Sequence, residues 1–384
     1  MAKRNPIIKI GISGSYGGYN LGDEAILESM IAQLRKALDL EITVFSRDPK
    51  DTLARHKVEK AVPVRKMTRA ESAQVVGQLD LLILGGGGIL FDSETKSFLR
   101  EVALALEKHI PVIVYAISAG PLHDPTNQAL VRDLLNQASL ITVRDRNAKA
   151  LLEELGVIQE IIVTADPALL LKPEPLPEEA LRREHIDGTK TLVGMSVREP
   201  GPASPDISTE HYHALLANAA DYMVDRFNAE VVFIPMERNM RDLQHAHAVI
   251  SQMLRPQHAA VLRSEYSSGQ ILSLMENFSF AVGMRLHFLI FAALQHVPFV
   301  ALPYASKVGG FLEDLKMDTP PLHLVNAGRL IAYIDTSWDK QQRVRANIVR
   351  LLPGLQKRAA QTNELVVEFI MSGFRRKSIV PRGK

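Results

Sequence analysis

Residues 280–294, FAVGMRLHFLIFAAL, show the pattern on which the fold of this chain is built. The apolar run from Phe280 to Val282 has the composition of a buried strand, and the run from Phe288 to Leu294 has that of a buried helix. Between them, Gly283 to His287 forms a short turn that carries an arginine and a histidine. A strand that turns directly into a helix is the repeating unit of a parallel α/β sheet.

The same alternation predicts a first domain over residues 1–172. Its apolar, strand-like runs lie at residues 7–13, 42–46, 81–84, 112–117, 140–143 and 161–164, and its helical patterns at 24–38, 98–108, 128–137 and 148–155. Continuous apolar strands that alternate with helices are typical of a parallel sheet covered on both faces. We therefore expect a doubly wound, Rossmann-like domain.

A second domain is predicted after a linker. Between residues 173 and 190 the apolar periodicity lapses, and Pro173, Pro175 and Pro177 precede a charged stretch. Strand-like runs then return at 192–197, 231–234, 260–262, 280–282 and 299–302, with helical patterns at 212–226, 242–254, 269–276 and 288–295, and residues 327–372 look helical. The predicted architecture is α/β, with Rossmann-like domains at 1–172 and 191–384 that face each other across a cleft.

Composition excludes several functional classes. The 384 residues are 46% hydrophobic and 23% charged, which is typical of a globular protein. A net charge of +2 argues against a nucleic-acid partner. Because cysteine is absent, disulfides and thiolate metal sites are excluded, which fits a reducing compartment. The first apolar run is too short for a secretory signal or a membrane span, so we expect a cytoplasmic protein.

The last ten residues carry five cations and no acid: Arg375, Arg376, Lys377, Arg382 and Lys384. Such a tail is either simply solvated or touches anionic lipid headgroups at the inner face of the cell membrane. A peripheral membrane contact would matter only if the substrate were linked to a lipid.

Four cations mark a candidate site for an anionic substrate. Each lies at or just beyond the carboxyl end of a predicted strand, where open α/β sheets bind their ligands: Arg198, Arg238, Arg285 and Lys307. His287 adds a titratable group beside the N–H donors of the following helix. The alternative for His287 is a hydrogen-bonded packing residue.

Two glycine-rich loops follow strands of the first domain. The loop from Gly11 to Glu24 has neither the spacing of a dinucleotide fingerprint nor a P-loop lysine, and Asp23 is placed to cap the next helix. The run from Gly85 to Gly88 must let something approach the backbone closely. That something is either another protein segment or a sugar or phosphate.

Other polar residues have structural interpretations. Asp145 is expected to cap the helix that follows it. His211 and His213, like His245 and His247, are two residues apart on predicted helices and so do not share a face, and we expect them at the surface. No metal site is predicted.

Taken together, these residues resemble the polysaccharide pyruvyl transferase family. The motifs that carry the resemblance occur in the family's order: Asn20-Leu21-Gly22-Asp23-Glu24, Gly85 to Gly88 followed by Ile89-Leu90, Ser118-Ala119-Gly120-Pro121, Thr142-Val143-Arg144-Asp145, Ala165-Asp166-Pro167 and Arg285-Leu286-His287. The chain looks most like the branch that pyruvylates a cell-wall polysaccharide which anchors surface-layer proteins.

The resemblance implies a GT-B-like fold and an enzyme that takes phosphoenolpyruvate as co-substrate, without a further cofactor. The implied acceptor is an N-acetylmannosamine unit of a lipid-linked precursor, and the implied products are a 4,6-linked pyruvate ketal and free phosphate. Matching the family's Arg-Leu-His motif to this sequence assigns donor binding to Arg285, Leu286 and His287. Arg198 and Arg238 are expected as further donor contacts.

The expected roles divide between the two halves of the chain. We expect His287 to transfer protons, with Arg285 and Lys307 completing the catalytic group, because imidazole titrates near neutral pH and arginine does not. The acceptor is expected at the N-terminal half, at the residues that match family motifs or glycine loops: Gly14, Asn20, Asp23, Gly86 and Gly87.

Two alternatives remain open from the sequence. A GT-B glycosyltransferase that uses a nucleotide sugar is supported by the segment from Val297 through Gly309-Gly310 to Glu313, which resembles the nucleotide-binding end of such folds. A non-enzymatic module that binds anionic saccharide is the other. Competition between phosphoenolpyruvate and a uridine nucleotide distinguishes a pyruvyl transferase from the glycosyltransferase. Release of phosphate distinguishes it from the saccharide-binding module.

Overall fold

The computed structural model describes residues 7–199, 208–237, 241–302, 306–317 and 326–373. It divides into two compact units. The first unit comprises residues 7–18, 26–170 and 357–373, and the second comprises residues 19–25 and the described part of 171–356. Residues 19–25 therefore belong to the second unit, although the residues on both sides of them belong to the first. Residues 357–373 belong to the first unit, although the residues that precede them belong to the second. The basic tail from Arg375 to Lys384 and the predicted site residue Arg238 lie outside the described residues.

The first unit is built on a parallel sheet of eight strands among its described residues. The strands are β1 (Ile8–Ser13), β2 (Leu40–Ser46), β3 (Lys60–Pro63), β4 (Leu81–Leu84), β5 (Gly87–Leu90), β6 (Val112–Ala119), β7 (Leu140–Val143) and β8 (Ile161–Val163). The helices are α1 (Leu21–Leu34), whose residues up to Ala25 belong to the second unit, α2 (Pro49–Arg55), α3 (Arg69–Val76), α4 (Thr95–Glu107), α5 (Pro125–Leu135) and α6 (Arg146–Glu154). The strand order is β3-β2-β1-β4-β6-β7-β8, and β5 also pairs with β6. The predicted doubly wound sheet is therefore present.

Helices α4 to α6 pack on this sheet through apolar side chains. Val102, Leu135 and Leu152, one from each helix, join Leu82 and Val114 of the sheet in one core, and none is more than 1% exposed. Burying each such side chain contributes about 1.5–3 kcal/mol. The continuous apolar character of the strands, read from the sequence, reflects this burial.

The second unit contains a five-stranded parallel sheet among its described residues. Its strands are β9 (Thr191–Ser196), β10 (Ala229–Phe233), β11 (Ala259–Val261), β12 (Phe280–Gly283) and β13 (Phe299–Ala301), in the order β11-β10-β9-β12-β13. The helices are α7 (Ala180–Arg183), α8 (Thr209–Phe227), α9 (Asp242–Ile250), α10 (Ser268–Met275), α11 (Leu286–Leu294), α12 (Ser306–Asp314), α13 (Ala327–Asp339) and the start of α14 (Gln341–Met371). The predicted linker region belongs to this unit and contains α7.

The predicted C-terminal helical segment is two helices, because α13 ends at Asp339 and α14 begins at Gln341. Trp338 of α13 stacks on Phe227 at the end of α8, with ring centroids 3.9 Å apart, and meets Phe280 of β12 edge-on at 5.6 Å. Such aromatic pairs add about 0.5–1.5 kcal/mol to the area they bury. None of the described helices is both long and apolar enough to cross a membrane.

Gly85 directly follows β4, and a substitution there tests whether the glycine run is needed for close packing. A Cβ atom at this position would lie 2.0 Å from the hydroxyl oxygen of Tyr16, whose side chain is fully buried. We expect Gly85→Ala to lower the free energy of unfolding by about 1–3 kcal/mol, because the buried ring cannot move aside cheaply. Urea unfolding measures this change.

Gly354, inside α14, is the matched control. A Cβ atom there would have nothing within 4 Å, so Gly354→Ala should raise the free energy of unfolding by about 0.4–1 kcal/mol through its helix propensity. If Gly85→Ala proved as stable as the native chain, the close packing of Tyr16 against β4 would be refuted.

Candidate active site

Three adjacent strands of the second unit, β10, β9 and β12, bring charged residues to one edge of the sheet. Arg198 lies two residues beyond β9, Glu237 follows β10, and Arg285 lies two residues beyond β12. The chain runs outward from β9 through β10 to β11 and returns to place β12 on the other side of β9. The edge between β9 and β12 is thus a topological switch point, the usual ligand-binding position of open α/β sheets.

The segment of residues 19–25 lies at the end of β10. Asn20 forms an antiparallel bridge with Glu237, and the amide of Leu21 donates to the carbonyl oxygen of Met236 at 2.9 Å. The hydroxyl of Ser268 donates to the carbonyl oxygen of Leu21 at 2.7 Å. Backbone hydrogen bonds therefore fix this family motif beside the strand end that carries Glu237.

Asn20, rather than Asp23, caps the first helix. Its side-chain oxygen accepts hydrogen bonds from the amide of Gly22 at 3.0 Å and from that of Asp23 at 3.4 Å. Asp23 lies inside the first turn of α1, so the prediction that it caps the helix is wrong. The capping residue must precede the first helical residue, and α1 begins at Leu21, earlier than the apolar pattern indicated.

His287 packs against Gly22. A Cβ atom on Gly22 would lie 1.8 Å from Nδ1 of His287, so the imidazole takes the space that any larger residue would need. His287 is half-buried at the second position of α11. Arg285 is the N-cap residue of this helix and makes no side-chain capping bond, while Leu286 is buried. The first turn of α11 therefore carries the imidazole and amides that no capping side chain engages.

Arg285 is held by two carboxylates. Its guanidinium forms two hydrogen bonds to Asp242, one of them from Nε at 3.0 Å, and a third from Nη1 to Glu237 at 2.8 Å. Asp242 also accepts from the amides of Met236 and Glu237 and is fully buried. Burial raises the pKa of Asp242, although the charge and hydrogen bonds of Arg285 oppose that shift.

Arg198 pairs with the neighbouring Glu199. Burial alone would raise the pKa of Glu199, but attraction and a hydrogen bond from Arg198, together with the charge of Arg285, outweigh it and hold this pKa below its usual value. Arg198, Glu199 and Arg285 therefore share one electrostatic environment. The structure thus brings together two of the predicted donor-binding arginines.

Two histidines expected at the surface instead pair with each other, and of the two His213 is buried and His245 half-buried. Nε2 of His213 on α8 lies 2.8 Å from Nδ1 of His245 on α9, and Nε2 of His245 lies 3.7 Å from a carboxylate oxygen of Glu199. His211 and His247 are exposed, as predicted. The prediction was wrong for His213 and His245 because spacing within a helix says nothing about partners on another helix.

Burial lowers the pKa of both paired histidines. For His213 the charge of His245 adds to the effect, whereas for His245 the carboxylates of Glu199 and Asp242 oppose it and Arg198 and Arg241 reinforce it. The unfolded chain therefore binds more protons than the folded one below about pH 6.5, the ordinary histidine value. The stability that the pair contributes is complete above that pH and is lost as the pH falls.

We expect the free energy of unfolding to decrease by on the order of 1 kcal/mol between pH 7.5 and pH 5.5 because of this pair. Urea unfolding at the two values measures it, with His213→Gln/His245→Gln as the comparison, since glutamine does not titrate. Equal losses in the native chain and in this variant would contradict the assignment.

The other predicted site residues belong to other segments of the chain. Lys307 falls in α12, beyond β13, and Gly14, Gly86 and Gly87 belong to the first unit. A Cβ atom on Gly86 would lie 2.9 Å from the side chain of Ile26 and 3.3 Å from a backbone oxygen, so protein atoms fill the space next to it. Gly87 has a φ of +103°, a conformation that favours glycine.

Motif residues of the first unit have structural roles. Nη1 of Arg144 donates to Asp166 at 2.6 Å, and both side chains are nearly inaccessible. Asp145 accepts from the amide of Ala148 at 2.8 Å and caps α6, which confirms that prediction. Among the described residues, no three histidines or carboxylates are grouped as they would be around a metal ion.

The sequence interpretation missed Asp242, Glu237 and Glu199 as members of this site. Two of them carried a usable signal, because Glu199 and Glu237, like the predicted cations, follow strands that end at the same edge of the sheet. Asp242 carried no such signal. It is the first residue of α9, and an acidic residue at that position is equally explained by its favourable interaction with the helix dipole.

Solved structures with the same fold identify its class. MnaA of S. aureus, solved with UDP, superimposes with a TM-score of 0.66 at 12% identity and covers 95% of this chain and 96% of its own. A protein from Listeria monocytogenes described as a UDP-N-acetylglucosamine 2-epimerase gives 0.68 at 13% identity, with 97% and 98% covered. These proteins have the GT-B fold, so the predicted GT-B-like α/β class is confirmed.

The chain belongs to the polysaccharide pyruvyl transferase family, whose model matches residues 20–306. It is also 20% identical to the amylovoran biosynthesis protein AmsJ of Erwinia amylovora over 396 aligned positions, which cover 89% of this chain and 95% of that protein. The family resemblance read from the motifs is therefore confirmed. Membership supports a transferase with a pyruvyl transfer role in polysaccharide synthesis.

Proposed function

We propose that this protein transfers the pyruvyl group of phosphoenolpyruvate to a saccharide, forming a 4,6-linked ketal and releasing phosphate. The observation that carries the proposal is the placement of Arg198, Arg285 and His287 at the switch point between β9 and β12 in a member of this family. Phosphoenolpyruvate carries a carboxylate and a phosphate on a small skeleton. Planar guanidinium groups bind both kinds of oxygen group in bidentate fashion.

The donor would lie over the first turn of α11. The uncapped amides there favour an anion, and His287 lies in the same turn. Arg198 would bind the donor directly when Glu199 gives way to it, and Arg285, already held by Asp242 and Glu237, would supply a fixed charge and one edge of the site. Lys307 and Arg238 are proposed to complete the cationic field.

The chemistry requires proton transfers that arginine cannot provide. The methylene carbon of the enol takes up a proton, one sugar hydroxyl attacks the adjacent carbon, the bond from that carbon to the phosphate oxygen breaks, and the second hydroxyl closes the ring. The two hydroxyl protons end on the new methyl group and on phosphate. We assign these transfers to His287, since a positioned imidazole typically contributes 10²–10⁴-fold.

The proposed acceptor is an N-acetylmannosamine unit of a lipid-linked cell-wall precursor, as in the branch that serves surface-layer proteins. A role in polymer synthesis is supported by the likeness to a protein of amylovoran biosynthesis. We propose that the loops of Gly14 and Gly87 in the first unit face this acceptor. No cofactor beyond the co-substrate is proposed.

The decisive test supplies phosphoenolpyruvate with an acceptor that contains N-acetylmannosamine and measures free phosphate together with the acceptor mass. We expect stoichiometric phosphate and a pyruvyl adduct. Stabilisation against heat by a uridine nucleotide but not by phosphoenolpyruvate, with no adduct formed, would instead identify a GT-B glycosyltransferase. Phosphate release absent with every acceptor tested would favour a saccharide-binding module.

A further inference from the structure

A cavity of about 420 Å³ lies within the first unit, and its lining includes none of the residues assigned above to the donor. It is bounded by the carboxyl ends of three adjacent strands, β1, β2 and β3, and by the first turn of α4. Ser13 ends the first of these strands, Gly14 directly follows it, and Arg47 directly follows the second. The carboxyl edge of a doubly wound sheet is the usual place for a ligand.

Four cations line this cavity: Arg47, Arg65, Lys96 and Arg100. Arg65 pairs with Glu94 at 2.5 Å, and Arg100 pairs with Glu101 at 2.8 Å. Among the residues that the structure describes, Arg47 and Lys96 form no ion pair. The cations therefore outnumber their carboxylate partners by two, and a ligand that balances this charge carries about two negative charges.

Arg100 is fixed in position by more than its ion pair. Its guanidinium also donates to the carbonyl oxygens of Val64 at 2.5 Å and Met67 at 3.1 Å. Burial raises the pKa of Glu101, against the opposing effects of Arg100 and Ser13. The wall of the cavity is thus a preorganised cationic surface.

The first turn of α4 adds hydrogen-bond donors. Its N-cap residue, Glu94, makes no side-chain capping bond, and the first turn contains no acidic residue. Lys96 and Ser97 lie in this turn and line the cavity. Uncapped amides and the positive end of the helix dipole both favour phosphate oxygens.

We propose that this cavity binds the diphosphate group that links the acceptor saccharide to its carrier, an inference that rests on the proposed function. Two linked phosphates match the charge excess, and arginine forks bind their oxygens in bidentate fashion. The volume exceeds what a single phosphate occupies and leaves room for the first atoms of the saccharide or carrier. Gly14, expected to face the acceptor, lines the same cavity.

The binding test uses inorganic pyrophosphate and the full-length protein in isothermal titration calorimetry. Arg47→Gln/Lys96→Gln removes the two cations that lack carboxylate partners and should weaken binding at least about tenfold, because each charge-assisted hydrogen bond contributes roughly one decade or more. Arg132→Gln/Lys149→Gln is the matched control, since both residues pair with exposed acids of the same unit outside the cavity. Its affinity should stay within about twofold of native.

Equal affinities in the native and Arg47→Gln/Lys96→Gln proteins would overturn the proposal. A phosphoenolpyruvate affinity that falls as much as the pyrophosphate affinity would also overturn it, because the cavity would then be the donor site. Uridine diphosphate and a short-chain prenyl diphosphate, titrated in parallel, distinguish the two carriers. Tighter binding of either one supports the proposal and identifies the carrier.

Steady-state kinetics with two acceptors test the diphosphate site separately from the proposed pyruvyl transfer. With a diphosphate-linked acceptor, the variant should show an acceptor KM raised at least about tenfold, while the KM for phosphoenolpyruvate is unchanged. With the same saccharide lacking the diphosphate, native protein and variant should be equal. If no acceptor is pyruvylated, the proposed function fails, yet the pyrophosphate titration still decides whether the cavity binds a diphosphate.

Discussion

Replacing His287 by alanine should lower kcat by about 10²–10⁴-fold while the protein remains folded. The imidazole is the titratable group at the first turn of α11, and the proposed reaction requires a proton on the methylene carbon and the removal of two hydroxyl protons. Neither arginine at this edge of the sheet can exchange protons at neutral pH. Phosphate release under saturating phosphoenolpyruvate and acceptor measures the effect.

His211→Ala is the matched control, because His211 is an exposed histidine of the same unit, on α8. Its kcat should equal that of the native protein. The midpoint of thermal unfolding should show that His287→Ala stays folded, because the side chain of His287 is only half-buried. Near-native turnover by His287→Ala would remove histidine from the mechanism.

Replacing Arg285 by methionine should lower the free energy of unfolding by about 3–5 kcal/mol and also raise the KM for phosphoenolpyruvate. The cost in stability arises because Asp242 is fully buried and would lose its guanidinium partner. Adding Asp242→Asn should restore most of the stability, since the amide oxygen still accepts from Met236 and Glu237 without carrying charge. Urea unfolding and steady-state kinetics measure the two effects separately.

The double variant distinguishes the contribution of Arg285 to stability from its contribution to donor binding. If Arg285→Met/Asp242→Asn is stable and its KM for phosphoenolpyruvate remains high, Arg285 contributes to donor binding; a native KM would assign it to stability alone. Arg285→Lys should also weaken donor binding, because an ammonium group cannot form the planar fork. The double variant keeps this test available even if Arg285→Met does not fold.

The pH dependence of Arg285→Met gives an independent check. Burial raises the pKa of Asp242, and without Arg285 the main opposing effect is gone. A group whose pKa is raised on folding stabilises the folded state at low pH, and this contribution is lost as the pH rises through the folded-state value. Both variants keep the His213–His245 pair, so the single variant should lose less stability than the double variant between pH 7 and pH 5.

Local sequence signals were sufficient for short strands made almost entirely of apolar residues, such as β4 and β7, which occur where the apolar runs predicted them. The interpretation overlooked α2 and α3, although the sequence marks both starts. Asp48 caps α2 ahead of a proline at its first turn, and Thr68 and Glu71 form a capping box at α3. Both helices are short, so their apolar periodicity is weak.

Contacts between distant residues left no such signal. His213 and His245 are 32 residues apart and lie on different helices, and Arg285 is 43 residues from Asp242. Residues 19–25 belong to the second unit although the sequence on both sides of them belongs to the first. A pattern with a period of two or 3.6 residues reports which face of an element is buried, but not which partner covers that face.

The sequence by itself determined that the chain forms parallel α/β sheets, that its cations follow strand ends, and that its motifs are those of the polysaccharide pyruvyl transferase family. These properties are local, because each depends on a few neighbouring residues and on the geometry of one element. Only the tertiary structure decided that Asp242 and Glu237 hold Arg285, that His287 packs on Gly22, and that four cations of the first unit line one cavity. These arrangements arise when the order of strands in each sheet brings distant segments to the same edge.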